Sequence, residues 1–502
     1  MCCLYHVLST RSPVFEGRRI TVAPSKGNGR GSADDNESMR AGMNGNSSDG
    51  AVAPGLTGRY LVLMRQDAMD AGISALRERA GLSITRSADF EAGVADTDAL
   101  TSGGAIVFDD LAVAVVDAPP DQVRSLSVAA SEDNGILAIE PERVVYAIYD
   151  RAIESSPPMS GAPAYGQPLA PAPRNLPAQT MPFDYLRGYR DAVNHVVDQV
   201  LGTGGVAMAT DGAAVAVGAE DKLTWGLQAT KVSESRYTGK GIRVAVLDTG
   251  FDLDHPDFLG RTVVSRSFVP GEAVQDGHGH GTHCIGTACG PKQGGQLPRY
   301  GIAYEAEIYV GKVLSNRGSG TDSSILAGIQ WAIANKCAVI SMSLGAPTQV
   351  GQAFSLVYEA VAKRALAAGT LIVAAAGNES ERPGTINPVS HPANCPSIMA
   401  VAAVDVALRV AWFSCGGLSV QGGQVDIAGP GVAVRSSWPR PQLYNTISGT
   451  SMATPHVAGI AALLAEQNPD VRGGSLGWLL LQSARRLELS SQDVGAGLVQ
   501  AP

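Results

Sequence analysis

Ser451 lies in the run SGTSMATPHVAG, residues 448–459, where small residues crowd the start of a helix-like segment. A serine hydroxyl attacks poorly until a base removes its proton. At a helix N-terminus, free backbone N–H groups also favour negative charge near that oxygen. Three histidines, His278, His280 and His283, fall within six positions in DGHGHGTHCIGTACG, residues 276–290. That density suits a general base on the first turn of a helix, or a metal ligand set. No Asp, Glu or Cys stands beside it in a familiar zinc register, which favours the base. Asp248 closes the apolar run IRVAVLD and is placed to orient such a base. Asn378 ends TLIVAAAGN, where its amide N–H can face a developing oxyanion. Taken singly, Asp248 also suits a turn or helix cap, Asn378 a left-handed turn, and Ser451 an N-cap.

These residues need elements to hold them. From residue 222 to 502, apolar runs alternate with helical segments: IRVAVLD, EIYVGKVL, AVISMSLG and TLIVAAAGN, separated by segments such as DSSILAGIQWAIAN and AFSLVYEAVAKRALAAG. Such alternation predicts an α/β domain with a parallel sheet covered on both faces, its site at the carboxyl ends of the strands. Residues 58–149 read as a separate small α+β unit in the order β-α-β-β-α-β of a ferredoxin-like fold. RYLVLMR is its first strand, and Met69, Ile73 and Leu76 mark a helix. A strand pair turns at Asp109-Asp110, PPDQVRSLSVAA reads as a second helix, and ILAIEPERVVYAI as the last strand. Residues 1–57, rich in Gly, Ser, Asn and Asp, read as a disordered tail. Residues 150–221 read as a Pro/Gly-rich linker with a short amphipathic helix around Leu186–Val200.

Composition narrows the partners. A formal net charge of −9 argues against nucleic acid as the main one. No apolar run reaches 18 residues, so no membrane span is expected. The first residues, MCCLYHVLSTRSPVFEGRR, lack the charged and apolar regions of a secretory leader. The seven cysteines are odd in number and widely spaced, so mostly reduced, buried thiols are expected, with Cys395 and Cys415 the one pairing considered.

The motifs VAVLDTG, HGTHCIGT, SMSLG, AAAGNE and SGTSMATPHVAG occur in that order. With them, residues 222–502 resemble the subtilisin-like serine proteases, whose triad runs Asp, His, Ser. The resemblance implies a three-layer subtilisin-like fold and a serine endopeptidase. Ser451 would be its nucleophile, His280 its base, Asp248 the orienting acid, and Asn378 with the Ser451 N–H its oxyanion hole. It implies that Ser343, Leu344 and Gly345, with Gly318, Ser319 and Gly320, bind an extended peptide by strand addition. Gly377 would wall the S1 pocket, with Ser390 and His391 near its base. No acidic residue is evident there, so a medium or large apolar P1 residue is expected. Residues 58–149 resemble the family's inhibitor-like prodomain, a chaperone and inhibitor removed by self-cleavage, here near Ile148 to Arg151. Asp257 and Asp426 match family cation positions and imply structural calcium, which the chemistry does not require. His283 is expected to be structural and His278 a loop residue, in a monomeric enzyme acting on polypeptides. The competing readings are a silent peptide-binding scaffold and a leaderless processing protease with a dedicated precursor.

Overall fold

A computed structural model describes residues 55–90, 104–119, 122, 135–148, 222–295, 298–418 and 422–502. The tail up to residue 54, the linker with its amphipathic helix, and most of the expected second helix of the N-terminal unit lie outside the described residues; Leu56 and Thr57, expected in the disordered tail, instead open the first strand.

The N-terminal part runs β1 (Leu56–Met64), α1 (Met69–Ala80), β2 (Ser83–Arg86), β3 (Gly104–Phe108), β4 (Val113–Val116) and β5 (Ile136–Ala147). Its sheet order is β5-β1-β4-β3-β2. β1 pairs antiparallel with both β4 and β5, as a ferredoxin-like order requires. One strand was not expected: β2 joins the edge parallel to β3. Its sequence, SITR, is too short for period-2 alternation to stand out.

The larger part contains α2 (Trp225–Ala229), β6 (Arg243–Asp248), β7 (Val263–Ser267), α3 (His280–Cys289), β8 (Glu307–Lys312), β9 (Ser319–Thr321), α4 (Asp322–Ala334), β10 (Val339–Met342), β11 (Leu344–Gly345), α5 (Leu356–Ala367), β12 (Leu371–Ala375), β13 (Met399–Val404), β14 (Ile427–Pro430), the hairpin β15 (Val434–Ser437) and β16 (Tyr444–Ile447), α6 (Thr450–Gln467) and α7 (Gly474–Ser483). Its central sheet has seven strands in the order β14-β13-β12-β10-β6-β8-β7, and every pair is parallel.

The inner strands β10, β12 and β13 are buried throughout because both faces are covered, while the edge strand β7 (VVSRS) is partly exposed. Alternation still deals side chains to opposite sides. In β6, Val244 and Val246 join the core formed with Cys284, Ile285 and Ala288 of α3 and Val457, Ala458 and Ala461 of α6. Ala245 and Leu247 join the opposite core, with Ile325 and Ile329 of α4 and Val357 and Val361 of α5. Leu61, Leu63, Phe108 and Val113 of the N-terminal sheet belong to that second core too, so the sheet packs across α4 and α5.

Candidate active site

Asp248 is the last residue of β6 and His280 the first of α3. Asp248 Oδ1 lies 2.7 Å from His280 Nδ1, and both side chains are buried. The same oxygen accepts the Thr249 N–H at 2.7 Å, which fixes the carboxylate's plane. Burial pushes the imidazole's pKa down, but the charge and hydrogen bond of Asp248 more than offset it and hold His280 well above its ordinary value.

The start of α3 is held by a residue that sequence reasoning did not single out. Asp276 Oδ1 accepts the N–H groups of His278 at 3.0 Å and Gly279 at 2.8 Å, and the Thr249 hydroxyl at 3.0 Å. Its Oδ2 accepts the Thr282 N–H at 2.9 Å and the Thr282 hydroxyl at 2.8 Å. A carboxylate meeting the free N–H groups of a helix start stabilises it through hydrogen bonds and the helix dipole. The signal was present: an acid four residues before the helix, among glycines that permit the turn. Gly279 has φ +105°, and a Cβ there would collide with the Trp438 indole. His283 is structural, as expected: its Nε2 pairs with the Val434 carbonyl at 3.0 Å, and burial drops its pKa to about 3.

Ser451 is the second residue of α6. Pro455 lies four residues on and has no N–H, so the Ser451 carbonyl lacks its helical partner. The Ser343 hydroxyl takes that place at 2.8 Å, and the Cys284 thiol approaches to 3.7 Å. Cys284 Sγ also lies 3.9 Å from His280 Nδ1, so this one thiol touches both α6 and the imidazole. Burial raises its pKa, which keeps it a protonated packing group. The Ser451 hydroxyl donates to the Ser343 carbonyl at 3.0 Å.

Asn378 follows β12. Its Oδ1 accepts the Thr450 N–H at 2.9 Å and the Thr450 hydroxyl at 2.8 Å. The amide is thereby oriented, and its Nδ2 is buried without a hydrogen-bond partner. A buried amide donor left open is costly unless something is meant to meet it.

The predicted substrate segments come together around the N-terminal part. β5 runs antiparallel between β9 and β11: Tyr146 pairs with Ser319 and Gly345, Val145 with Gly320, and Ala147 with Leu344. The Ala147 N–H donates to the Gly318 carbonyl at 2.9 Å, and the Ile148 N–H to the Ser343 carbonyl at 3.3 Å. A Cβ built on Gly345 would meet Ile148 Cδ1 at 2.8 Å and Ser390 Cβ at 3.5 Å, so the Ile148 side chain lies beside Gly345 and Ser390. Gly377, at φ +112°, adopts a conformation that L side chains rarely take.

An acid that the sequence reading did not single out stands beside Ser390: Glu379 Oε2 accepts the Ser390 hydroxyl at 3.0 Å and lies 3.2 Å from Cys415 Sγ. It sits one residue after Asn378, where sequence alone cannot show that the chain folds back onto Ser390. The considered Cys395–Cys415 pairing does not form. All five cysteines among the described residues are free and buried, with Cys395 against the Ser355 carbonyl and Cys415 against Glu379.

At the first expected cation position, Asp257, both carboxylate oxygens already meet donors. Asp257 Oδ1 accepts the Gly295 N–H at 2.6 Å, and its Oδ2 accepts the Tyr300 hydroxyl at 2.6 Å. The Tyr444 hydroxyl reaches both oxygens. Asp426 Oδ2 accepts the Ala400 N–H at 2.7 Å, and burial pushes its pKa up to about 6. Donor hydrogens on both oxygens of Asp257, where a cation would need lone pairs, do not fit calcium there. Among the described residues, the only cluster of three His, Cys, Asp or Glu side chains close enough to share a metal is Asp248, His280 and Cys284. That cluster is the buried pair already described plus the thiol.

A parallel sheet bearing a buried acid–imidazole pair, with a serine at a nearby helix start, is the architecture of a subtilisin-like serine protease. The Subtilase family (Peptidase S8) model matches residues 239–497, and the chain belongs to that family. It is 39% identical to subtilisin of Bacillus pumilus over 272 residues, 54% of this chain and 90% of that protein. It is 39% identical to subtilisin E of Bacillus subtilis (strain 168) over 271 residues, 54% of this chain and 65% of that protein. The solved structure of sphericase is 31% identical, with a TM-score of 0.49, covering 57% of this chain and 100% of its own.

Proposed function

We propose that the chain is a self-processing zymogen of a serine endopeptidase. Ser451, His280 and Asp248 form its catalytic triad, and Asn378 with the Ser451 N–H its oxyanion hole. The segment ending at Ile148 is its prodomain, acting as folding aid and inhibitor. The observation that carries this reading is β5, hydrogen-bonded as the middle strand between β9 and β11, with the Ile148 N–H on the Ser343 carbonyl. A segment bound that way is a substrate-like peptide, Ile148 being the residue before the cleaved bond.

In the reaction, the Ser451 oxygen attacks the carbonyl carbon of that residue while His280 Nε2 takes the hydroxyl proton. The Nδ1–H donates to Asp248, whose charge stabilises the imidazolium. Asn378 Nδ2 meets the oxygen that becomes negative, with its own geometry set in advance by Thr450. His280 then gives its proton to the departing amine, and water repeats the sequence on the acyl-enzyme. The Ile148 side chain beside Gly345 supports an apolar P1 preference. No calcium role is assigned to Asp257 or Asp426.

Reaction of the processed protein with a fluorophosphonate tests the nucleophile. A single adduct on the peptide containing Ser451, absent from Ser451→Ala, is expected. A processed wild type that takes up no label would contradict the reading and favour a silent peptide-binding scaffold.

A further inference from the structure

The N-terminal strand makes one contact that the chemistry above does not use. Counting Ile148 as the first residue before the cleaved bond, Arg143 is the sixth. Its backbone N–H donates to Asp322 Oδ2 at 2.8 Å, and its guanidinium Nη1 lies 3.9 Å from the same oxygen, an ion pair rather than a hydrogen bond. Asp322 opens α4 directly after β9, the strand that flanks the groove.

Asp322 is a built acceptor. It is fully buried, and His391 Nε2 holds its other oxygen at 3.2 Å. The His391 ring is in turn set edge-on against Tyr358, with centroids 4.6 Å apart. A buried carboxylate fixed from behind by an imidazole keeps its remaining oxygen aimed at the chain that crosses it. Glu140 Oε2 also stands 3.7 Å from Arg143 Nη1, but Glu140 belongs to β5 and leaves with it. Asp322 stays with the enzyme and then has nothing from β5 on that oxygen.

We infer that Asp322, positioned by His391, is the recognition group of a distal subsite that favours arginine or lysine at the sixth residue before the cleaved bond. The inference rests on the reading that β5 occupies the substrate groove with Ile148 next to that bond. The backbone N–H of any residue satisfies part of the carboxylate; only a basic side chain neutralises it. A glutamate there would set two negative charges together. For a partly exposed ion pair the preference of arginine over alanine is about fivefold, and larger over glutamate.

The test uses processed wild-type enzyme and three peptides sharing the sequence Val-Val-Tyr-Ala-Ile before the cleaved bond, preceded by Arg, Ala or Glu. kcat/KM should fall in the order Arg, Ala, Glu. Asp322→Asn should bring the three values within about twofold of each other, and Asp322→Glu should restore the order. Equal values for the wild type, or an unchanged order in Asp322→Asn, would overturn the subsite while leaving the groove reading intact. Cleavage at a bond other than the one after Ile would overturn the register of the groove and the subsite with it.

Discussion

The backbone N–H of Ile148 and the hydroxyl of Ser451 donate to the same oxygen, the carbonyl of Ser343, at 3.3 and 3.0 Å. One acceptor therefore brings the end of the N-terminal strand to the serine at the head of α6. Everything in the proposed mechanism depends on that convergence.

Asn378→Ala should lower kcat by about 10²–10³ with a much smaller change in KM, the size known for losing one such donor in a subtilisin. The donor is buried and unpaired, and in the proposed oxyanion hole its partner forms only in the transition state. Steady-state kinetics on a chromogenic peptide decides this. An equal rise in KM at constant kcat would make Asn378 a ground-state binding group instead.

The His280–Asp248 pair sets a pH dependence of known sign. His280 must be neutral to accept a proton, and its pKa is raised above the ordinary 6.5 by Asp248 despite burial. kcat/KM should therefore fall as pH drops through a value above 6.5. The pair's contribution to folding has the opposite trend: it is fully present below 6.5 and lost as pH rises through the folded value. In Asp248→Asn the residual activity should lose its acid limb or show it shifted downward. A wild-type limb at or below 6.5 would contradict the assignment.

Glu142 ties the N-terminal sheet to the enzyme. It is fully buried and accepts the Ser323 N–H at the start of α4 at 2.9 Å, together with the Thr57 hydroxyl and Arg59. Glu140 meets the start of α5 in the same way, through the Leu356 N–H and the Ser355 hydroxyl. In a Ser451→Ala background, where the chain stays whole, Glu142→Ala should cost about 1–3 kcal/mol, because it leaves buried donors unmet. Thermal unfolding reads this as a lower Tm. An unchanged Tm would mean the contact contributes nothing.

Much of this was legible in the chain. Buried-type strands alternating with helices predicted a covered parallel sheet, and Asp248, His280 and Asn378 stand where ordered motifs put them. Asp276 and Glu379 were harder. Both act through partners distant in sequence, Asp276 on Thr249 and Glu379 on Ser390 and Cys415, and periodicity carries no information about such contacts. The partners of Asp257 were hidden for the same reason: Tyr300 and Tyr444 converge on it only in the folded chain.

The Glu379 carboxylate beside Ser390 predicts a second, basic preference in the proposed P1 pocket, beneath the apolar one. Peptides with lysine at P1 should be cleaved by the wild type at a measurable rate, and Glu379→Gln should reduce kcat/KM for lysine relative to leucine by about fivefold. Competition between the two peptides, read by mass spectrometry, measures the ratio directly. A ratio unchanged in Glu379→Gln would show that the carboxylate serves only Ser390.

Intact mass of the purified wild type beside Ser451→Ala tests the central claim most directly. The account predicts that the wild type loses its N-terminal segment through Ile148, leaving chains that begin at Tyr149 or further on, while Ser451→Ala keeps its full mass. Loss of the same segment from Ser451→Ala, or a full-length wild type under conditions where the fold is intact, would contradict it.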